Sequence, residues 1–336
     1  MQTNKTIPPT SIKTVCVKAH ARLHMGFFDL HGGLGRKFGS LGVALANPVT
    51  ELTASLSDKL VITGSLKDGE AEVIAKAVAE VQKALGIETS LDITVKQLIP
   101  RHLGLGSGTQ IKLALLAVFD NLNQLNLEHN DIAMASGRGL RSGIGLATFQ
   151  QGGAVVDAGR RTVPSGLHVE IPPVIARVEF PESWKILLVF DDSKQGVHGN
   201  QELEAFKCLP EFPESLADRL SRHVLMQALP ALHERDLNAF GAAVLALQKA
   251  TGEHFASAQG GLYASNKVTE VFDWCKKEGI ACFGQTSWGP TGFVVFEDEE
   301  LANDYLVRIS DYFSPQKNLK FMLTEAVNTG ATLLVC

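Results

Sequence analysis

A glycine-rich segment in the first half of the chain carries the residue types that bind phosphate. It reads Pro-Arg-His-Leu-Gly-Leu-Gly-Ser-Gly-Thr over residues 100–109, and an apolar helical pattern follows at once. Glycines let backbone amides approach an anion closely, and the first amides of a helix are unpaired and lie at its positive end. Two hydroxyl donors lie in the same segment. The predicted phosphate-binding residues are Gly104, Gly106, Ser107, Gly108 and Thr109.

Two common phosphate motifs do not fit this segment. A Walker loop requires Gly-Lys-Ser/Thr at a fixed distance from its first glycine, and Lys112 comes too late in the chain. A dinucleotide-binding fold requires a continuous apolar strand before the glycines, whereas residues 91–96 alternate like a strand with one buried face. Glycine-rich runs also occur in ordinary turns. A plain turn therefore stays as the structural alternative.

Length and composition indicate a globular protein with room for two cores. The chain has 336 residues, 45% of them hydrophobic and 20% charged, and a formal net charge of −5. This charge gives no general attraction to nucleic acid or anionic membranes, so a small phosphorylated ligand is favoured. No apolar run is long enough to span a membrane, and residues 1–9 lack the apolar core of a signal peptide. We therefore expect a cytoplasmic protein without nucleic-acid or membrane partners.

Hydrophobic patterns predict the elements that position the glycine-rich segment. Helical spacing over residues 73–85 predicts one helix, and a mostly buried helix follows the segment itself. Several prolines precede the apolar strand 186–190, and we place a domain boundary there, between residues 1–182 and 183–336. The order strand, helices, strand, strand, helix, strand in the second part is typical of a split βαβ layer. The predicted fold class is α+β in two domains.

Charged residues beside other turns are further candidates for ligand binding. Arg138 and Arg141 lie in a second glycine-rich region and could pair with an anion, although an exposed basic helix end is the alternative. Asp191 and Asp192 follow an apolar strand, like the acidic pair of ordinary phosphoribosyltransferases. A solvated strand end explains them better, because this chain lacks the alternating strands and helices of a parallel sheet.

Three glycine-rich loops, in their order along the chain, resemble the GHMP kinase superfamily. They are residues 21–26 (Ala-Arg-Leu-His-Met-Gly), 100–109 and 285–292. The resemblance covers most of the chain, and its central loop is the specific match. It implies an N-terminal domain of the ribosomal-protein-like α+β type and a C-terminal ferredoxin-like domain.

Two positions depart from the kinase pattern. Mevalonate-type members carry Ser-Gly-Val-Asp, in which the Asp is the catalytic base, and Gly145 stands at that position here. Gly108 replaces a serine that can help to hold the metal in kinases. Glycine cannot accept a proton, and phosphoryl transfer depends on a positioned nucleophile. These departures lower the expectation of kinase activity, although some kinases of the superfamily manage without the Asp.

The remaining motifs are similar to one divergent branch, the β-ribofuranosylaminobenzene 5′-phosphate synthases of methanopterin biosynthesis. The similarity rests on residues 22–30, 140–145, 196–199 with Glu202, and 285–290. It implies a glycosyltransferase that joins the ribose 5-phosphate of phosphoribosyl pyrophosphate to a benzoate, with loss of carbon dioxide and pyrophosphate. Both 4-aminobenzoate and 4-hydroxybenzoate are open as acceptors. An ATP-dependent small-molecule kinase is the alternative, and a binding protein without catalysis is a third class.

This resemblance and the chemistry it implies assign expected roles to individual residues. The expected catalytic residues are Arg22, His24 and Arg141. Phosphate contacts are expected from the glycine-rich segment together with Arg138 and Ser142. Substrate contacts are expected from Asp29, His198, Glu202, Ser287, Trp288 and Gly289. Mg²⁺ is the expected cofactor, and the sequence does not identify its ligands. No organic cofactor is expected. Relatives suggest that the protein is a homodimer.

Three of these residues have a structural alternative. His24 could be a hydrogen-bonded histidine near a turn, and Trp288 could pack in the core. His198 and Glu202 are four residues apart and could form an ion pair at the start of a helix.

Overall fold

Two sheets, each formed mostly by one half of the chain, organise the fold. The computed structural model of the protein describes residues 13–136, 142–163, 166–167, 171–194, 196 and 209–336. The strands are β1 Thr14–Asp29, β2 Arg36–Lys37, β3 Gly39–Ser57, β4 Val61–Gly64, β5 Ser90–Gln97, β6 Ala154–Asp157, β7 Arg160–Val163, β8 Gly166–Leu167, β9 Val174–Val178, β10 Lys185–Asp191, β11 Cys282–Gln285, β12 Gly292–Phe296, β13 Leu319–Glu325 and β14 Thr332–Val335. The helices are α1 Glu70–Leu85, α2 Ser107–Asn123, α3 His129–Ser136, α4 Ile144–Gln151, α5 Glu214–His223, α6 Leu229–Glu234, α7 Leu237–Gln259, α8 Asn266–Lys277 and α9 Glu299–Tyr312, and a π-helical turn, Val224–Ala228, joins α5 to α6.

The first sheet is built around the long antiparallel pair β1 and β3. Its order is β14-β1-β3-β5-β4, and β6 and β9 continue from β3. Irregularities in the β1–β3 register lie between His20 and Arg22 and again between His24 and Gly26. These two irregularities flank residues 22–24, which include the predicted catalytic residues Arg22 and His24. Because a bulge bends a strand and redirects its side chains, they affect the direction of both side chains. A small sheet, β2-β7-β8, lies apart from this path.

The second sheet has the order β11-β12-β10-β13, with antiparallel pairs throughout. In chain order, β10 is followed by helices, β11, β12, α9 and β13, so the first and third strands of the unit lie in the centre. This arrangement is the split βαβ layer of a ferredoxin-like domain. The α+β prediction is confirmed.

The helix that follows the glycine-rich segment is held against the first sheet by its apolar side chains. Leu115 and Phe119 of α2 pack with Ile74 and Val78 of α1 and with Val17 of β1 in one buried cluster. The predicted helix over residues 73–85 is confirmed as α1. Because α2 is anchored along its length, its first turn has a defined place beside β1. Within the described ranges, no helix is long and apolar enough to cross a membrane.

The two halves of the chain share a core and a strand. Leu23 of β1, Ile186 of β10 and Phe240 of α7 belong to one buried cluster. After β13 the chain leaves the second sheet, and the last strand, β14, pairs with β1 of the first sheet, where Val335 lies opposite Val15. The division at residue 182 stays a prediction, since the chain returns to the first sheet after completing the second.

Candidate functional site

The three predicted loops meet beside the middle of β1. The Arg22 guanidinium donates from Nη1 to the Gly104 carbonyl at 2.5 Å, and the Arg22 amide donates to the Leu105 carbonyl at 3.1 Å. The Thr286 hydroxyl donates to the same Gly104 carbonyl at 3.0 Å and accepts from the His24 amide at 2.9 Å. Segments that are far apart in sequence therefore form one site, which includes residues from both halves of the chain.

Close packing, with a backbone oxygen of another loop at Gly104 and with a side chain at Gly289, leaves no room for a β-carbon at two of the predicted positions. A β-carbon at Gly104 would lie 2.6 Å from the Thr286 carbonyl oxygen, and one at Gly289 would lie 2.6 Å from the Gln285 side chain. Gly196 is constrained in the same way, because its β-carbon would lie 2.1 Å from the Gly289 carbonyl oxygen. Loop packing thus explains these glycines without a ligand.

The first turn of α2 is the candidate anion site, in the partly exposed region between the loops. Gly106 precedes the helix with φ 86°, and no side chain caps the helix start. Ser107 and Gly108 occupy the first two helical positions, where an amide has no carbonyl of its own helix to pair with. No acidic residue lies in this turn, and a β-carbon at Gly106 would lie 3.3 Å from Cγ of Arg22. Free amides, the helix dipole and a nearby guanidinium all favour an anion here.

Gly145, at the position of the kinase base, lies against this same turn. A β-carbon at Gly145 would be 3.1 Å from Cγ2 of Thr109. The Gln110 side-chain amide also donates to the Gly145 carbonyl at 2.9 Å, which ties α4 to α2. The position next to the anion site therefore has no side chain that could accept a proton.

Ser142, a predicted phosphate ligand, is engaged by a buried carboxylate that sequence analysis missed. Its hydroxyl donates to Oδ2 of Asp157 at 3.0 Å and accepts from the Ile144 amide at 3.2 Å. Oδ2 also accepts from the Ser40 hydroxyl at 2.7 Å and from the Gly143 amide at 3.0 Å. The phosphate role of Ser142 stays a prediction, but its hydroxyl already has protein partners.

Asp157 is fully buried, and its other oxygen accepts from the Gly159 amide at 2.7 Å. Burial raises the pKa of Asp157 to about 6, and the hydrogen bonds from Ser40, Gly159, Ser142 and Gly143 limit the rise. The sequence signal that could have revealed Asp157 is an acidic residue that ends the apolar strand β6.

His24 is a buried, neutral imidazole. Burial, followed by the charge of Arg22, lowers the pKa of His24 to about 3. Its ring lies edge-on to Phe27, with centroids 4.5 Å apart, and within the described part of the chain Nε2 has no hydrogen-bond partner. At neutral pH the His24 ring is uncharged, so Nε2 can form a hydrogen bond but the ring cannot supply positive charge. Its catalytic role stays a prediction.

Two predicted substrate contacts have structural partners of their own. The Trp288 ring is 6% exposed and stacks on Phe255, with centroids 4.4 Å apart. Asp29 accepts from the amides of His31 and Gly32, both at 2.9 Å, and so shapes the turn after β1. Both contacts favour structural roles for these residues.

Ser287 and Gly289 lie in the loop between β11 and β12. The Ser287 amide donates to the His24 carbonyl at 3.2 Å, so this loop is attached directly to β1. Buried Gln248 of α7, which sequence analysis missed, holds this loop through Gln285, the buried first residue of the predicted loop 285–292. Gln248 donates to the Met25 carbonyl at 2.6 Å and accepts from the Gln285 amide at 2.8 Å.

Four predicted site residues, Arg138, Arg141, His198 and Glu202, lie outside the described residues. The acidic pair after β10 has a structural role. Asp191 is buried and accepts from the Ser265 hydroxyl at 2.7 Å, while Asp192 pairs with Lys320. The prediction of a solvated strand end is therefore wrong for Asp191, whose carboxylate is enclosed by hydroxyl donors.

Comparison with known proteins gives matches over nearly the whole chain. The model of the GHMP kinases N terminal domain matches residues 72–153, and that of the GHMP kinases C terminal domain matches residues 228–314. A protein of Methanothermobacter thermautotrophicus named beta-ribofuranosylphenol 5′-phosphate synthase is 31% identical, over 95% of this chain and 98% of its own length. The protein of the same name from Archaeoglobus fulgidus is 33% identical, over 95% and 99%.

Solved structures share the fold at low sequence identity. Homoserine kinase from Cytophaga hutchinsonii aligns with a TM-score of 0.64 and 17% identity, over 98% of this chain and 100% of its own. Mevalonate diphosphate decarboxylase from Staphylococcus aureus aligns with a TM-score of 0.65 and 16% identity, over 96% and 98%. The arrangement of the two sheets is therefore that of these enzymes.

The pKa of Asp157 predicts how pH acts on stability. Because burial raises this pKa from 3.8 to about 6, the folded protein keeps a proton that the unfolded chain has already released. The contribution of Asp157 to the free energy of unfolding is fully present below about pH 4 and is lost as pH rises through about 6, by at most about 3 kcal/mol. Asp157→Asn removes this titration. Urea unfolding should show the stability difference between wild type and variant changing over this window; a constant difference would contradict the raised pKa.

Proposed function

We propose a phosphoribosyl-transferring function for this chain, which belongs to the β-ribofuranosylphenol 5′-phosphate synthase family within the GHMP kinase superfamily. The reaction joins ribose 5-phosphate, from phosphoribosyl pyrophosphate, to a 4-substituted benzoate in methanopterin biosynthesis. The ring carbon that carries the carboxylate forms a bond to C1 of ribose, while the bond from C1 to pyrophosphate breaks. The carboxylate then leaves as carbon dioxide, and its bonding electron pair returns to the ring.

The observation that carries this proposal is Gly145 beside the first turn of α2. Phosphorylation of an alcohol requires removal of a proton, and mevalonate-type kinases place a carboxylate at this position. The decarboxylating transfer needs no net proton when pyrophosphate leaves fully ionised, because carbon dioxide departs from the attacked carbon. An anion site with glycine at the position of the kinase base therefore suits phosphoribosyl transfer better than kinase chemistry.

The first turn of α2 is the proposed site for the pyrophosphate or the 5-phosphate. Amides of Ser107 and Gly108, together with the Arg22 guanidinium, stabilise negative charge as the pyrophosphate leaves. Arg22 is held in place by its hydrogen bond to Gly104. The catalytic contribution of this chain is thus mainly electrostatic and positional.

Mg²⁺ enters this proposal as an ion that the donor carries on its phosphates. Mg²⁺ keeps several waters and is usually bound by one or two carboxylates together with substrate phosphates. Among the described residues, no group of three or more His, Cys, Asp or Glu side chains could hold a metal ion. The side-chain oxygens in the first turn of α2 are the hydroxyls of Ser107 and Thr109 and the amide oxygen of Gln110. These donors suit an ion that arrives with pyrophosphate better than a resident one.

The acceptor proposed first is 4-hydroxybenzoate. The relatives are named for a phenol product, which 4-hydroxybenzoate would give and 4-aminobenzoate would not. We further propose that the enzyme acts in the cytoplasm as a homodimer, and light scattering of the purified protein tests the second point.

The purified protein, with phosphoribosyl pyrophosphate, Mg²⁺ and 4-hydroxybenzoate, should release pyrophosphate and carbon dioxide in equal amounts. Coupled pyrophosphate detection and ¹⁴C release from carboxyl-labelled benzoate measure the two products. Parallel reactions with 4-aminobenzoate identify the preferred acceptor. ATP-dependent phosphorylation of an alcohol, with neither product formed, would support the kinase alternative instead.

Gly106→Val should abolish binding of phosphoribosyl pyrophosphate in calorimetry, with a loss of at least about a hundredfold in affinity. Gly106 has φ 86°, and its β-carbon would press on Arg22 beside the anion site. Gly86→Val is the matched control, because Gly86 also has a positive φ, 65°, but a β-carbon there meets no atom within 4 Å. Unchanged affinity in Gly106→Val would refute the loop assignment.

Gly145→Asp should not create kinase activity. The added side chain begins 3.1 Å from Cγ2 of Thr109 and must displace this residue of the anion site. Transfer of labelled phosphate from ATP to homoserine or mevalonate measures the activity, and Gly145→Ala controls for the β-carbon alone. Phosphoryl transfer by the Asp variant would show that the missing carboxylate alone explains the absence of kinase activity, and would contradict this prediction.

A further inference from the structure

Asp157 caps a helix that borders the proposed anion site. Its Oδ2 accepts from the Gly143 amide and the Ser142 hydroxyl, and the same hydroxyl accepts from the Ile144 amide, at the first residue of α4. A carboxylate at a helix N-terminus is stabilised by the unpaired amides and by the helix dipole. Asp157 therefore supplies, from within the protein, the anion that the start of α4 favours.

The position of Asp157 is itself determined by two other strands and turns. The Ser40 hydroxyl of β3 donates to Oδ2, and the Gly159 amide, in the turn before β7, donates to Oδ1. Each of these groups is buried or half-buried, so the loss of one partner would leave a donor without an acceptor. The start of α4 is thus attached to the first sheet through one side chain.

Two contacts extend this attachment to the first turn of α2. The Gln110 side chain donates to the Gly145 carbonyl at 2.9 Å, and the Gly145 backbone packs against Thr109. A displacement of the start of α4 would move Gly145 and, with it, the residues around the anion site. A path of hydrogen bonds and covalent backbone therefore runs from Asp157 through residues 143–145 to Gln110 of α2.

We propose that Asp157 is a positioning residue for the phosphate site. It acts through α4, Gly145 and Gln110, and sets the place of the α2 first turn relative to the bound pyrophosphate. This inference rests on the proposed function, because the ligand of the site is the pyrophosphate of phosphoribosyl pyrophosphate. Asp157 does not touch the substrate.

The test uses Asp157→Asn, which keeps the shape of the side chain but replaces one acceptor oxygen with an amide donor. Calorimetry with pyrophosphate and Mg²⁺ should show affinity about tenfold weaker than wild type. The KM for phosphoribosyl pyrophosphate should rise by a similar factor, while the KM for the benzoate stays the same. A purely structural role would lower stability and the active fraction but leave both KM values unchanged.

The matched control is Asp298→Asn. Asp298 is the N-cap residue of α9 and accepts from the Leu301 amide at 2.8 Å, so it also places a carboxylate at a helix start, but in the second half of the chain. Its pyrophosphate affinity should equal that of wild type. If Asp157→Asn does not fold, Ser40→Ala removes a single hydrogen bond to the same carboxylate and should weaken binding about threefold.

A double-mutant cycle identifies the route. If Asp157 acts through Gln110, then the combined effect of Asp157→Asn and Gln110→Leu on pyrophosphate affinity should be smaller than the product of the single effects. Fully multiplicative effects, or wild-type affinity in Asp157→Asn, would overturn the positioning role. If wild type neither binds pyrophosphate nor turns over, the proposed function itself fails, and the inference falls with it.

Discussion

The Gly104 carbonyl oxygen accepts two hydrogen bonds, and the arrangement of the site depends on them. One comes from the Arg22 guanidinium on β1, and the other comes from the Thr286 hydroxyl in the loop of the second sheet. The two donors belong to different halves of the chain, so this atom joins both halves to the phosphate loop. The contact also requires glycine at position 104, because any β-carbon would collide with the Thr286 carbonyl. Glycine is needed here for protein packing before any ligand is considered.

Two helix N-termini, those of α2 and α4, border the site, and they differ in whether a side chain of the protein occupies them. At the start of α4, the buried carboxylate of Asp157 accepts from the Gly143 amide, and the Ser142 hydroxyl, itself bonded to Asp157, accepts from the Ile144 amide. The start of α2 has no side-chain cap and no acidic residue in its first turn. Because the start of α4 already has an internal anion, the start of α2 is the helix end at this site that favours a ligand phosphate.

The electrostatic character of the site agrees with a reaction that moves charge more than protons. His24 stays neutral because burial and the nearby Arg22 both oppose its protonation. Gly145 offers no side chain where related kinases place their base. In the part of the chain that the structure describes, the candidate anion site has amides, hydroxyls and a guanidinium beside it, which stabilise negative charge without accepting a proton. A fold that is shared with kinases thus has a site whose groups can stabilise the negative charge of a leaving pyrophosphate.

Sequence alone was sufficient for features that depend on local pattern. Helical spacing identified α1, and an apolar helical pattern identified α2. Alternation identified β5, and the order of elements identified the split βαβ layer. The glycine at position 145 followed from the spacing of one motif. Partners that are distant in the chain decided the rest. Ser142 meets Ser40, 102 residues away, over the Asp157 carboxylate, and Trp288 stacks on Phe255. A sequence motif shows which groups are available, but the buried side chains and hydrogen bonds that engage them are determined only when tertiary packing excludes water.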